Sequence, residues 1–161
     1  TKSEFGPRAL GNRSIIANPK NAMILHTINK FVKVRDFWMP FAPSILEEKF
    51  NKYIKADKHS YPIFMTNSFD TTKEGKENLL AATHPFDRTA RPQKVIKKFN
   101  QRFYNIIKEF EKLSGVSAVL NTSFNLHGEP VVESPKDAFR TFKKSGLKYL
   151  YISDYLVSKK S

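Results

Sequence analysis

The sequence predicts a mixed α/β (α+β) fold, in which helices pack on a twisted mixed sheet. Segments with the apolar spacing of amphipathic helices alternate with short apolar runs typical of strands, and this alternation is characteristic of a sheet covered by helices. The 161 residues are 40% hydrophobic and 13% aromatic. A chain of this length and apolar content can bury one core, which favours a single domain over residues 1–161.

The first half of the chain contains one predicted helix and one candidate strand. Apolar residues between positions 22 and 32 recur at spacings of three and four, which predicts an amphipathic helix. The run APSILEEKF, residues 42–50, contains a candidate strand. Residues 53–92 are polar and rich in turn formers, so we expect an irregular segment with short elements.

Residues 93–113 return to helical spacing, and Gly115 stands where a helix of this kind would stop. The run SAVLN, residues 117–121, follows as a predicted strand. We therefore expect a long amphipathic helix to lead directly into the sheet.

The last third of the chain begins with a helix start signal. Ser134 is an expected N-cap, Pro135 suits the first helical position, and Asp137 favours the positive end of the helix. This helix should end before Gly146, and the run KYLYI, residues 148–152, is a predicted strand.

The composition narrows the possible partners and sites. Twenty-eight Lys and Arg residues against fifteen Asp and Glu give a net charge of +13, which favours anionic partners such as phosphates, nucleotides or nucleic acid. There is no cysteine, and the four histidines show no ligand spacing, so no metal site is predicted. No apolar run is long enough to span a membrane, and we expect a cytoplasmic protein.

The opening stretch EFGPRALGNRS combines two arginines with two glycines. The guanidinium groups of Arg8 and Arg13 suit phosphate or carboxylate, and Gly6 and Gly11 would let the backbone bend close to such a ligand. Arg13 could instead pair with a carboxylate such as Glu4. Because this dense segment begins at once and without methionine, we expect the chain to be a piece of a larger protein.

Other polar residues occur where ligands often bind. Ser123 and Asn125 follow a predicted buried strand, although they could equally satisfy their own turn. Arg91 precedes a proline and could point at a ligand or simply be solvated. Lys33 and Arg35 sit at the expected end of the first helix, where cations also complement the helix dipole.

Four segments together resemble the C-terminal domain of the O-carbamoyltransferases, the family of nodulation and antibiotic-tailoring enzymes. They read EFGPRALGNRSI, KVRDFWMPFAPS, TARPQ and GVSAVLNTSFNLHGEPVVESPKDAFRTFKKSGL, and the resemblance extends from Ser3 to Val157. It implies a YrdC-like fold similar to that of threonylcarbamoyl-adenylate synthases, whose site pairs Lys-x-Arg with Ser-x-Asn. The corresponding residues here are Lys33 and Arg35, and Ser123 and Asn125.

The resemblance implies that ATP and carbamoyl phosphate bind and become carbamoyl-adenylate and pyrophosphate, with Mg²⁺ a candidate companion of ATP. Arg8 and Lys33 would hold the carbamoyl and phosphate end, and Arg35 and Arg91 the triphosphate or the adenylate phosphate. The remaining polar contacts would come from Asn121, Ser123 and Asn125.

In the resembled family, transfer to an acceptor hydroxyl belongs to a larger N-terminal domain of actin-like ATPase fold, which carries the iron site. Nothing in these 161 residues resembles that domain, so the chain should not complete the transfer alone. The N-terminal domain of the full-length protein is then an expected partner.

Two departures from the family pattern leave alternatives open. Met39 replaces the usual arginine before PFAP, and the segment HPFDR carries Arg88, which could supply the missing cation. Arg13, Arg88 and His127 are secondary site candidates. His127 ranks low because a lone histidine in a loop is more often structural than a general base. A nucleotide pocket that has decayed is one alternative, and a basic, aromatic module that binds RNA is another, although nucleic acid is not the expected partner.

Overall fold

A four-stranded mixed sheet forms the centre of the protein. A computed structural model describes residues 4, 6–29, 32, 39–57 and 59–159, so Lys33 and Arg35 lie outside the described residues. The strands are β1 (Ser14–Ala17), β2 (Ala42–Leu46), β3 (Gln93–Val95) and β4 (Ala118–Ser123). Their order is β1-β4-β2-β3, and β4 is antiparallel to both of its neighbours, whereas β2 and β3 are parallel.

Helices and a separate hairpin complete the described fold. The helices are α1 (Met23–Ile28), α2 (Phe50–Tyr53), α3 (Lys73–Asn78), α4 (Gln101–Ser114) and α5 (Pro135–Lys144). Strands β5 (Tyr149–Ile152) and β6 (Tyr155–Ser158) pair as an antiparallel hairpin. These elements confirm the predicted mixed α/β class. None of the described helices is long and apolar enough to cross a membrane.

The central strand β4 joins the cores on the two faces of the sheet. Val119 packs in a cluster with Phe103 and Ile107 from α4. Leu120 belongs to the cluster on the other face, which includes Phe142 of α5. Because successive side chains of a strand point to opposite faces, burying both faces requires the apolar run that this segment has.

Helix α4 begins later than its sequence pattern predicts. The Asn100 side chain accepts a hydrogen bond from the Phe103 N–H and caps the helix, and Gly115 ends it in the left-handed conformation with φ of 73°. The prediction of a helix from Gln93 is wrong at its start, because Gln93–Val95 forms β3 and pairs with β2. Parallel pairing and the burial of Val95 outweigh the helical spacing there.

Helix α5 begins with the predicted N-cap. The Ser134 hydroxyl accepts a hydrogen bond from the Asp137 N–H at 3.2 Å, and the Asp137 carboxylate accepts one from the Ser134 N–H at 3.1 Å. This reciprocal pair is a capping box, which satisfies two backbone donors at the start of the helix.

We expect the contribution of this capping box to depend on pH. Hydrogen bonds from the Ser134 side chain and backbone lower the pKa of the Asp137 carboxyl. A carboxyl with a lowered folded-state pKa stabilises the fold above its unfolded pKa of about 3.9, and this stabilisation is lost as the pH falls through the folded value. The Asp137→Asn variant should therefore melt below the wild type at pH 7, and the difference should shrink below about pH 4. A difference in melting temperature that is independent of pH would contradict this.

The loop before β1 rests against α4. Gly11 has a φ of +122°, and a Cβ at this position would overlap the Phe103 ring. The Asn100 side chain also donates a hydrogen bond to the Asn12 side chain at 3.0 Å. These contacts fix the loop on the helix.

The two glycines of this loop provide a matched pair for testing that contact. Gly6 has nearly the same φ, +120°, but faces open space. Gly11→Ala should therefore reduce the free energy of unfolding by about 1–3 kcal/mol more than Gly6→Ala, because it adds overpacking to a similar backbone strain. Urea denaturation of both variants measures this difference. Equal losses would show that the Phe103 contact is unimportant.

Candidate anion-binding site

An open cleft lies at one end of the strands of the central sheet. It is lined by Pro7, Arg8, Ala9, Pro40, Phe41, Ala42, Met65, Arg91, Asn121, Thr122 and Ser123. Because β4 is antiparallel to β1 and β2, and β3 is parallel to β2, the carboxyl end of β4 meets the amino ends of the other three strands. The sheet thus brings together residues that are far apart in the sequence.

Two arginines share this cleft. Burial and the nearby positive charge of Arg8 lower the pKa of the Arg91 guanidinium. The Nε atom of Arg91 is buried and has no hydrogen-bond partner among the described residues. Two guanidinium groups that are close together and partly dehydrated favour an anion, which would neutralise their repulsion and accept their hydrogen bonds.

Arg8 belongs to a loop whose backbone N–H groups are held by a carboxylate. The Glu4 Oε1 atom accepts hydrogen bonds from the Leu10 N–H at 2.9 Å and from the Asn12 N–H at 2.6 Å. It also accepts a longer one from the Arg13 backbone N–H, at 3.4 Å. Glu4 therefore stabilises the bend that presents Arg8.

Asn121 lies beneath the same loop and is 2% exposed. Its Nδ2 atom donates to the Ala9 carbonyl at 3.1 Å and to the Ser44 hydroxyl at 2.9 Å. Its Oδ1 atom is buried and has no hydrogen-bond partner among the described residues. The amide nitrogen of this predicted site residue is thus used to hold the arginine loop.

Ser44 and Gln93 complete this arrangement, and the sequence analysis missed both. The Gln93 Nε2 atom donates to the Leu10 carbonyl at 3.0 Å, and its Oε1 atom accepts from the Ser44 hydroxyl at 2.7 Å. A polar residue inside the apolar run APSIL is a signal that could have pointed to Ser44. Gln93 carries no comparable signal, because the apolar spacing of residues 93–113 predicts a helix at this position.

The predicted Ser-x-Asn pair is brought together, although its two members have different surroundings. The Ser123 hydroxyl lines the edge of the cleft and donates to the Asn125 Oδ1 atom at 2.7 Å. The Asn125 Nδ2 atom donates to the carbonyls of Leu126 and Glu129 at 3.0 and 2.7 Å. Asn125 therefore organises the turn after β4 and orients Ser123.

The secondary candidates Arg13, Arg88 and His127 are not among the described residues that line the cleft. An Nη atom of Arg13 donates to the Glu133 carbonyl at 3.3 Å. Arg88 has a φ of 60°, and its carbonyl accepts a hydrogen bond from the Thr71 hydroxyl at 2.7 Å. His127 is exposed, and its backbone N–H donates to the Val32 carbonyl at 3.0 Å.

Described residues stand directly before and after the stretch of sequence that contains Lys33 and Arg35. Val32 contacts the turn after β4 through its hydrogen bond with His127. At the other end, Pro40 lines the cleft and Met39 is 37% exposed beside it.

Met65 forms part of the apolar wall of the cleft and was not predicted. It is 4% exposed and has a φ of 55°, in the left-handed region that side chains other than glycine seldom adopt. Such strain is concentrated at functional sites, where the surrounding structure imposes it. The polar, aperiodic segment around Met65 gave no sequence signal for this role.

These features give the cleft one polar and one apolar wall. Arg8 and Arg91 offer hydrogen-bond donors, whereas Phe41 and Met65 are buried and apolar. Within residues 4, 6–29, 32, 39–57 and 59–159, no group of three His, Asp or Glu side chains could hold a metal ion. The arrangement can bind a phosphate group and orient it beside a less polar group.

Curated proteins of known sequence include several relatives. Nodulation protein NolNO of Sinorhizobium fredii is 43% identical over 99% of this chain, which covers 24% of that protein. Nodulation protein NolO of Bradyrhizobium diazoefficiens is 41% identical over 99% of the chain and 29% of its own length. The 3'-hydroxymethylcephem-O-carbamoyltransferase of Amycolatopsis lactamdurans is 30% identical over 94% of the chain and 28% of its own length.

The chain thus spans between about a quarter and a third of the length of these relatives. The sequence profile of the family described as "Carbamoyltransferase C-terminus" matches residues 1–159, nearly the whole chain. The chain therefore belongs to the carbamoyltransferase C-terminal domain family.

Proposed function

We propose that this domain activates carbamoyl phosphate with ATP to form carbamoyl-adenylate, as the C-terminal part of an O-carbamoyltransferase. The observation that carries the proposal is the pair of arginines, Arg8 and Arg91, in one cleft at the carboxyl end of β4. Positioning and charge neutralisation provide most of the catalysis of phosphoryl and nucleotidyl transfer, and arginine supplies both.

The balance of atoms defines what the site must accommodate. ATP and carbamoyl phosphate together contain four phosphorus atoms, whereas carbamoyl-adenylate contains one. Water first cleaves carbamoyl phosphate to carbamate and phosphate. A carbamate oxygen then attacks the α-phosphorus of ATP, and pyrophosphate leaves. Both steps gather negative oxygens, which supports a role for several fixed cations.

The proposed roles follow the positions of the residues in and around the cleft. Arg8 would bind the phosphate of carbamoyl phosphate, and Arg91 the phosphates of ATP. Because the two side chains share one cleft, a pyrophosphate ion would contact both. The Ser123 hydroxyl, whose single proton is donated to Asn125, would accept a hydrogen bond from a ligand donor such as the carbamoyl NH₂ group. Lys33 and Arg35 belong to the segment between Val32 and Met39, and we propose that they add further positive charge. Asn121 would act by holding the arginine loop.

The proposed reaction also requires a metal ion and a domain that are not part of this chain. Mg²⁺ would enter as the complex with ATP. Transfer of the carbamoyl group to an acceptor hydroxyl would require an N-terminal domain of the full-length protein, consistent with the 24–29% share of the relatives that this chain covers. Iron would be confined to that domain.

Arg8→Ala should weaken ligand binding without weakening the fold. A hydrogen bond to a charged group contributes about 1.5–3 kcal/mol, so the affinity for pyrophosphate should fall about ten- to a hundredfold. The ligand-free melting temperature should not fall, because removing Arg8 relieves its repulsion with Arg91. Calorimetry and thermal melting measure the two effects.

Arg102→Ala provides the control for this experiment. Arg102 is an exposed α4 residue paired with Asp154 at 2.9 Å, and it does not line the cleft. This variant should bind pyrophosphate like the wild type. If both arginine variants lose affinity equally, general surface charge explains binding and the cleft does not.

The activity itself is tested by pyrophosphate release. The purified chain should release pyrophosphate from ATP when carbamoyl phosphate is present, and Arg91→Ala should lower this rate at least about tenfold. ATP alone and ATP with acetyl phosphate serve as controls. Release that does not depend on carbamoyl phosphate would contradict the proposed reaction.

A further inference from the structure

Three polar side chains are buried side by side in the central sheet. Ser44 on β2, Gln93 on β3 and Asn121 on β4 are 0%, 6% and 2% exposed. Ser44 accepts a hydrogen bond from Asn121 and donates one to Gln93. Because an unpaired polar group is costly in such surroundings, a buried network of this kind is tolerated only where most of its groups find partners.

The network ends on two successive backbone carbonyls outside the sheet. Asn121 donates to the Ala9 carbonyl and Gln93 donates to the Leu10 carbonyl. These are the two residues that directly follow Arg8. The sheet therefore holds the loop by its carbonyls, while Glu4 holds it by the N–H groups of Leu10 and Asn12.

We propose that Gln93 and Ser44 are positioning residues that hold Arg8 in the cleft before the anion arrives. The inference rests on the proposed anion-binding function. Arg8 and Arg91 repel each other, so a mobile loop would let Arg8 move away into water. Ordering that loop only on binding would then reduce affinity, whereas a loop held in advance avoids this cost.

The chemistry of the network argues against a purely structural purpose. Strands β2 and β4 pair in register over four residue pairs, and the backbone forms the hydrogen bonds of such a ladder. When all partners of a buried hydrogen bond are replaced by apolar side chains of similar shape, the stability of the fold can remain nearly unchanged. Such side chains would, however, leave the carbonyls of Ala9 and Leu10 without donors.

The test uses Gln93→Met, which preserves side-chain length and removes the donor to Leu10. Pyrophosphate binding is measured by calorimetry at a temperature where all variants are folded. We expect a loss of affinity of about tenfold, as for a single buried hydrogen bond. Ser44→Ala should show a smaller loss, because Asn121 Nδ2 lies 3.4 Å from Gln93 Oε1 and can replace the lost donor.

A double-mutant cycle separates positioning from general destabilisation. In the Arg8→Ala background, Gln93→Met should have little further effect on pyrophosphate affinity, because the group that it positions is gone. The control is Ser117→Ala, a buried residue at the other end of β4 whose hydroxyl donates to Glu111. It should lower the melting temperature and leave the affinity unchanged.

Hydrogen exchange provides a readout that does not depend on the ligand. The Leu10 and Asn12 amides should exchange about tenfold faster in Gln93→Met and remain at the wild-type rate in Ser117→Ala. Additive losses in the cycle, or unchanged exchange, would overturn the positioning role and leave the proposed function intact. Failure of the wild type to bind pyrophosphate would overturn the proposed function and this inference together.

Discussion

The repulsion between Arg8 and Arg91 is the constraint that the rest of the site must meet. Two cations that share a partly dehydrated cleft remain there only if their backbones are fixed from outside. Arg91 is fixed because it lies only two positions before β3, whereas Arg8 lies on a loop six positions before β1. The buried network and Glu4 provide for that loop the rigidity that a strand provides for Arg91.

Membership of the carbamoyltransferase C-terminal family and the geometry of the cleft provide different kinds of information. The family match identifies the class of domain, and the structure distinguishes residues that line the cleft from residues that support it. Ser123 lines the cleft, whereas the Asn125 side-chain amide donates hydrogen bonds to the carbonyls of the following turn. Residues of one sequence motif can therefore have unequal effects on binding and on folding.

Local signals in the sequence predicted local structure well. The cap at Ser134 and the stop at Gly115 depend on neighbouring residues alone, and both are confirmed. Strands β1 and β3 escaped prediction because they are only four and three residues long and gain their stability from partners elsewhere. Strand β6 was also missed, although its partner β5 is its neighbour in the sequence. Ser44 and Gln93 were missed because hydrogen bonds to distant residues leave no periodic pattern.

The topology of the sheet also has a consequence for how the protein is made. Asn121 and Ala9 are 112 positions apart, and β1 pairs only with β4 among the described strands. During synthesis, β1 emerges from the ribosome long before any strand is available to pair with it. Long-range pairing of this kind raises the contact order and slows folding. The arginine loop should therefore be among the last parts to acquire its native conformation, and a nascent chain that stops before β4 would lack the anion site altogether.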